Sequence, residues 1–184
     1  MTVRRLKVIT NTPDADIPRA RGFYQLEEDV LYFPLETGHA RAKYFSFLDS
    51  EFVSLQLDRE GKLIFIEITL PRRRWQTEPN LVLPEYAVPA DMRFLDFRER
   101  FGEPDILCDI KRQTVYIKFS ERPAQATYLL AENVMAQVDS DDSLTSLWLT
   151  GITDDRAGQN ISSWRKILRA NTSFLTETTI PARM

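Results

Sequence analysis

Apolar and polar residues alternate along much of this chain, and a period of two marks a half-buried β-strand. Over residues 52–58 the alternation puts Val53, Leu55 and Leu57 on one face and Ser54, Gln56 and Asp58 on the other. Residues 58–61 (Asp-Arg-Glu-Gly) carry turn chemistry. Residues 62–70 form a second β-rich run, so the two predict a hairpin. Upstream, residues 22–26 and 30–35 flank the polar Glu27, Glu28 and Asp29 and predict another. Pro34 has no N–H to give a ladder, which assigns its strand to an edge or a bulge.

The pattern then returns. Leu31, Tyr32 and Phe33 line up with Val115, Tyr116 and Ile117 at a spacing of 84. Glu51, Val53, Gln56, Asp58 and Leu63 line up with Glu132, Val134, Gln137, Asp139 and Leu144 at a spacing of 81. Val134, Ala136 and Val138 thus fall where Val53, Leu55 and Leu57 fell, which keeps the same register in both copies. Between the copies, residues 71–89 hold four prolines and read as a surface connector. Pro89, the spacing of Phe94, Phe97 and Phe101, and the Gly102 and Pro104 stop predict a helix over about 90–101. Ile161, Trp164, Ile167 and Leu168 predict another over about 161–170. The expected fold is therefore α+β, with two tandem antiparallel β-meanders, a connecting helix and a C-terminal helix. The chain divides as 1–70 (first repeat with an N-terminal extension), 71–89, 90–160 (helix plus second repeat) and 161–184. The two copies are expected to pack about a pseudo-two-fold axis, as a homodimer of the short unit would.

The first copy resembles a family of short bacterial domains of unknown function. Its pattern is a tyrosine, acidic residues, Asp-x-Leu-Tyr, then Asp-x-x-Gly and a strand ending Ile-Glu-Ile. Here these are Tyr24, Glu27, Glu28, Asp29, Leu31, Tyr32, Asp58, Gly61, Ile66, Glu67 and Ile68. Phe65 stands where that family usually has glycine. In the second copy Asp142 replaces the turn glycine and Trp148 the glutamate. The resemblance implies a β-rich fold and no activity.

Composition narrows the chemistry. In 184 residues there are one histidine, one cysteine and six glycines that never form G-x-G. Disulfide frameworks, multi-histidine metal sites, Rossmann loops and P-loops are thereby excluded, so the expected metals and cofactors are none. A net charge of −3 and 43% hydrophobic residues fit a globular chain and disfavour a nucleic-acid partner. No apolar run approaches a membrane span, so a cytoplasmic protein is expected.

Few residues remain as candidates. His39 reads as a solvated loop residue, and Cys108 as an inert thiol on an apolar face. Glu27, Glu28, Asp29 and Glu67 could supply a carboxylate pair for hydrolysis if they met in a cleft. As separate turn and edge acids they would face solvent. Arg72, Arg73, Arg74 and Trp75 could hold a phosphate or a base, although three cations in an acidic chain more simply form a solvated connector with Trp75 on the core. The function expected is a non-catalytic binding or interaction module, with an unidentified protein or a second copy of itself as partner through open β edges. The alternatives are a carboxylate-dependent hydrolase and, third, nucleic-acid binding through residues 72–75.

Overall fold

The computed structural model describes residues 4–36, 44–156, 158–163 and 166. In the first half lie strands β1 (Val8–Asn11), β2 (Arg19–Ala20), β3 (Phe23–Gln25), β4 (Val30–Glu36), β5 (Ser46–Asp49), β6 (Val53–Leu57) and β7 (Leu63–Ile68). A single 3-10 turn at Arg72–Arg74 leads to β8 (Gln76–Thr77), β9 (Val88–Pro89), β10 (Asp91–Phe94) and β11 (Glu99–Arg100). Then come β12 (Asp105–Cys108), β13 (Val115–Lys118), β14 (Ala126–Ala131), β15 (Val134–Val138), β16 (Leu144–Leu149) and β17 (Thr153–Asp155).

The protein is mostly β, not α+β. The helix expected over 90–101 is absent: β10 and β11 occupy that span. Met92 and Phe94 are buried while Asp91 and Arg93 are not, a period of two. β1 pairs with β10 along its length, and that ladder outweighs the helical spacing of the phenylalanines. The C-terminal helix is short, covering 159–163 and 166. The rest of the expected 161–170 span lies outside the described residues. Pro34 is not on an edge either, since β4 lies between β3 and β7. On the β3 side its neighbours pair only through residues 30–32 and, with β2, through residues 35–36, so Pro34 falls in the gap between.

One sheet runs β5-β6-β7-β4-β3, and the other runs β14-β15-β16-β13-β12, the same order in the second half. Val53 faces Ile68 and Leu55 faces Ile66, as Val134 faces Leu149 and Ala136 faces Leu147. Both hairpins slip register at the corresponding point, after Gln56 and after Gln137. Val53, Leu55 and Leu57 are buried, and so are Val134, Ala136 and Val138. The inner faces of both sheets merge into one hydrophobic cluster, where truncating a buried leucine to alanine costs about 2–5 kcal/mol.

The halves are also interleaved. After β7 the chain crosses to the second sheet, where β8 lies parallel on β12; after β16 it crosses back, and β17 lies parallel on β3. Trp75 and Ile152, each just before its exchanged strand, are both buried. The lead-in strands exchange too. Val8 N–H donates to the Asp142 carbonyl at 2.9 Å, and Phe94 N–H to the Gly61 carbonyl at 2.8 Å. Val8 and Phe94 are cross-strand partners. These contacts convert into one another when the halves are swapped, the pattern of a two-fold axis passing between Val8 and Phe94.

The sheet ends are short. The flanking strands β11, β17, β8 and β9 have only two or three residues each, which blunts edges that could otherwise accept a further strand.

Candidate binding cleft

Two clefts open beside the exchanged lead-ins, at corresponding places in the two halves. In the first, of about 280 Å³, Lys62 and Leu63 of the β6–β7 turn meet Asp91 and Met92 of β10, with Leu35 behind them. In the second, of about 440 Å³, Ser143 and Leu144 of the β15–β16 turn meet Arg5 and Leu6, with Phe119 behind them. Lys62 corresponds to Ser143, Asp91 to Arg5, Met92 to Leu6 and Leu35 to Phe119.

Local sequence builds the second cleft. Asp139 folds the turn by accepting the N–H groups of Asp141 (2.9 Å) and Ser143 (3.0 Å) on Oδ1. Asp58 does the same for Glu60 and Lys62 in the first copy. Leu144 N–H donates to the Leu6 carbonyl at 2.8 Å, which holds the lead-in against the turn. The Phe101 and Phe119 rings meet edge to face, with centroids 5.4 Å apart, and form an apolar wall. At the polar end, Ser143 Oγ and Asp139 Oδ2 are buried and take part in no hydrogen bond. Arg122 Nη1 stands 3.3 Å from Asp139 Oδ2, close enough for an ion pair but not aligned for a hydrogen bond.

Every cation lining this cleft already holds an acid. Arg4 is paired with Asp96 (3.1 Å) and Glu99 (2.7 Å), Arg5 with Asp141 (3.2 Å), and Lys118 with Glu121 (2.7 Å). Arg122 reaches Asp141 at 2.6 Å; the hydrogen bond from its guanidinium holds the Asp141 carboxyl below the usual range, and that carboxylate raises Arg122 in turn. Glu103 and Asp105, also lining the cleft, have no ion pair among the described residues.

The sequence candidates lie elsewhere. Glu27 and Glu28 are exposed, and Asp29 and Glu67 are half-buried. Glu28 accepts the Tyr32 hydroxyl at 2.5 Å, and Glu67 is the cross-strand neighbour of Tyr32, so these two acids flank one ring on the outer face of the first sheet. Asp29 accepts the Tyr24 hydroxyl (3.0 Å) and pairs with Arg73 (2.9 Å). None of the four lines either cleft.

The arginine segment pins the chain exchange. Arg72 lies over the Tyr24 ring at 4.4 Å and pairs with Asp154 of β17 at 2.7 Å. Its N–H donates to the Tyr24 hydroxyl, and burial pushes that phenol up from its ordinary range. Arg74 lies over Phe52. Trp75 is buried, donates to the Leu70 carbonyl and meets Tyr24 edge-on. Cys108 is fully buried, and burial raises its thiol. His39 lies outside the described residues.

Among the described residues no three His, Cys, Asp or Glu side chains come together as a metal would require, and no helix is long and apolar enough to cross a membrane. The chain matches no family model and no curated protein. Sequence reasoning passed over Ser143 and Arg122. The one signal for Ser143 was its place opposite Lys62 in the internal alignment.

Proposed function

We propose that this protein is a non-catalytic binding module whose ligand enters the second cleft. The observation that carries this reading is the pair of buried oxygens without a hydrogen bond, Ser143 Oγ and Asp139 Oδ2, in a cleft whose apolar wall is Leu6, Phe101, Phe119 and Leu144. Buried polar groups are normally hydrogen-bonded, and a concave, mostly apolar site with a few convergent polar atoms is the usual form of a ligand pocket. The carboxylates that a hydrolase would need sit outside both clefts, and short sheet ends favour a cleft over strand addition. The reading also takes the halves as copies of one short unit like the short bacterial domains, supported by shared strand order and register slip. A single buried thiol suits a reducing cytoplasm.

The test is ligand recovery. The purified chain is incubated with a small-molecule extract, and retained compounds are identified by mass spectrometry. Compounds should return unchanged, and retention should fall for Gly102→Trp, which places an indole at the exposed cleft mouth. Catalysed loss of a compound, abolished by Glu67→Gln, would instead establish the hydrolase reading.

A further inference from the structure

We infer that the second cleft binds a small aliphatic primary amine as its ammonium ion. The inference rests on the binding reading above and names the ligand's chemistry. The first cleft shows what the scaffold does with an ammonium. There the position of Ser143 is filled by Lys62, whose Nζ stands 3.5 Å from Asp91 and 3.7 Å from Glu60. Its charge sits among acids; of these Glu60 has an acidic counterpart in the second half, Asp141, while Arg5 stands where Asp91 does. In the second cleft serine replaces that lysine and the space is larger, about 440 against 280 Å³.

The charge balance points the same way. An anion would have to displace a carboxylate from Arg4, Arg5, Lys118 or Arg122, all of which are ion-paired. An ammonium breaks no hydrogen bond: it joins Arg122, whose Nη1 stands 3.3 Å from Asp139 Oδ2, at that carboxylate. It can donate to Ser143 Oγ and Asp139 Oδ2, while Glu103 and Asp105 add negative charge beside the cleft, Asp105 as the cross-strand neighbour of Lys118. Leu6, Phe101, Phe119 and Leu144 would cover the aliphatic stem. Three ammonium protons against two deep acceptors leave one for water or a rim carboxylate.

The probe is n-hexylammonium, titrated calorimetrically into the intact chain, with 1-hexanol and hexanoate as neutral and anionic counterparts of the same stem. The expected result is saturable binding of the amine alone, weakened at least tenfold by Asp139→Asn and more mildly by Ser143→Ala. Asparagine keeps the Oδ1 that folds the turn, and unchanged melting shows that each variant is intact. Binding of the amine that ignores both substitutions overturns the inference. Preferential binding of hexanol or hexanoate overturns it while leaving the binding-module reading standing. Failure of all three probes at millimolar concentration, with compounds still recovered from extract through the same cleft, likewise removes the amine assignment alone.

Discussion

The two clefts stand at corresponding places on one scaffold and finish their polar ends differently. In the first, Lys62 and Arg93 both contact Glu60 and Asp91, so the acids of the corner are met by the chain's own cations. Arg93 Nε, behind that corner, is the one buried atom there without a hydrogen-bond partner. In the second, Arg5 and Arg122 converge on Asp141, and Asp139 Oδ2, 3.3 Å from Arg122, and Ser143 Oγ are buried without a hydrogen bond. Shared backbone contacts fix where each cleft lies, and the side chains that finish it differ, Lys62 against Ser143 and Asp91 against Arg5. A repeated fold can therefore narrow one site and widen its counterpart without altering strand order.

The largest effects should come from the interleaving that creates both clefts. Trp75→Ala and Ile152→Ala remove corresponding buried anchors of the exchanged strands, and each should cost about 2–5 kcal/mol in chemical denaturation. If one of the two were silent, the exchange would be structural in only one direction and the correspondence would break. The turns under the clefts should separate next. Gly61 has φ +83, and a Cβ there would overlap the Phe94 carbonyl oxygen, whereas Asp142 at the corresponding position tolerates φ 56. Gly61→Ala should therefore cost about 1–3 kcal/mol. Asp142→Gly should stay within about 1 kcal/mol of wild type. Equal losses would mean that the two turns are held in the same way.

The legible part of the fold was the part with local cause. The alternation of Val53, Leu55 and Leu57 and its echo at Val134, Ala136 and Val138 needs only the neighbouring residues. β10 escapes a sequence reading because Phe94, Phe97 and Phe101 satisfy a helical spacing, while the partner that makes residues 91–94 a strand lies eighty or more residues earlier, in β1. The exchanged strands β8 and β17 are too short to show a period at all. The cleft was less legible still, since Arg5 meets Asp141 across 136 residues of sequence and Ser143 is an ordinary turn serine until set beside Lys62. The carboxylates and arginines were conspicuous by composition, yet Arg72 and Arg73 spend their charge on Asp154 and Asp29.

Smaller effects should appear in the pH dependence. Asp141 is held below the ordinary carboxylate range chiefly by the hydrogen bond from Arg122, so its contribution is present above the unfolded value of about 3.9 and is lost as pH falls through the depressed one. In acid unfolding, Arg122→Ala should lie below wild type near neutrality and approach it at the acid end. A constant gap would assign the arginine's contribution to packing. Tyr24, raised mainly by burial, favours the folded state below the unfolded value of about 10, and that contribution fades as pH rises toward its folded value. In alkaline absorbance titration Tyr24 and Tyr44, both raised mainly by burial, should ionise late, and Tyr24→Phe should shrink that late phase. An undiminished late phase in the variant would place the buried phenol elsewhere.

The asymmetry between the clefts is tested most directly by methyl NMR of the intact chain titrated with n-hexylammonium. The Leu6 and Leu144 methyls line the second cleft, and those of Leu35 and Leu63 line the first. The account predicts saturable shifts of Leu6 and Leu144 with one dissociation constant, while Leu35 and Leu63 stay fixed. Equal shifts in both pairs, or shifts confined to Leu35 and Leu63, would contradict it.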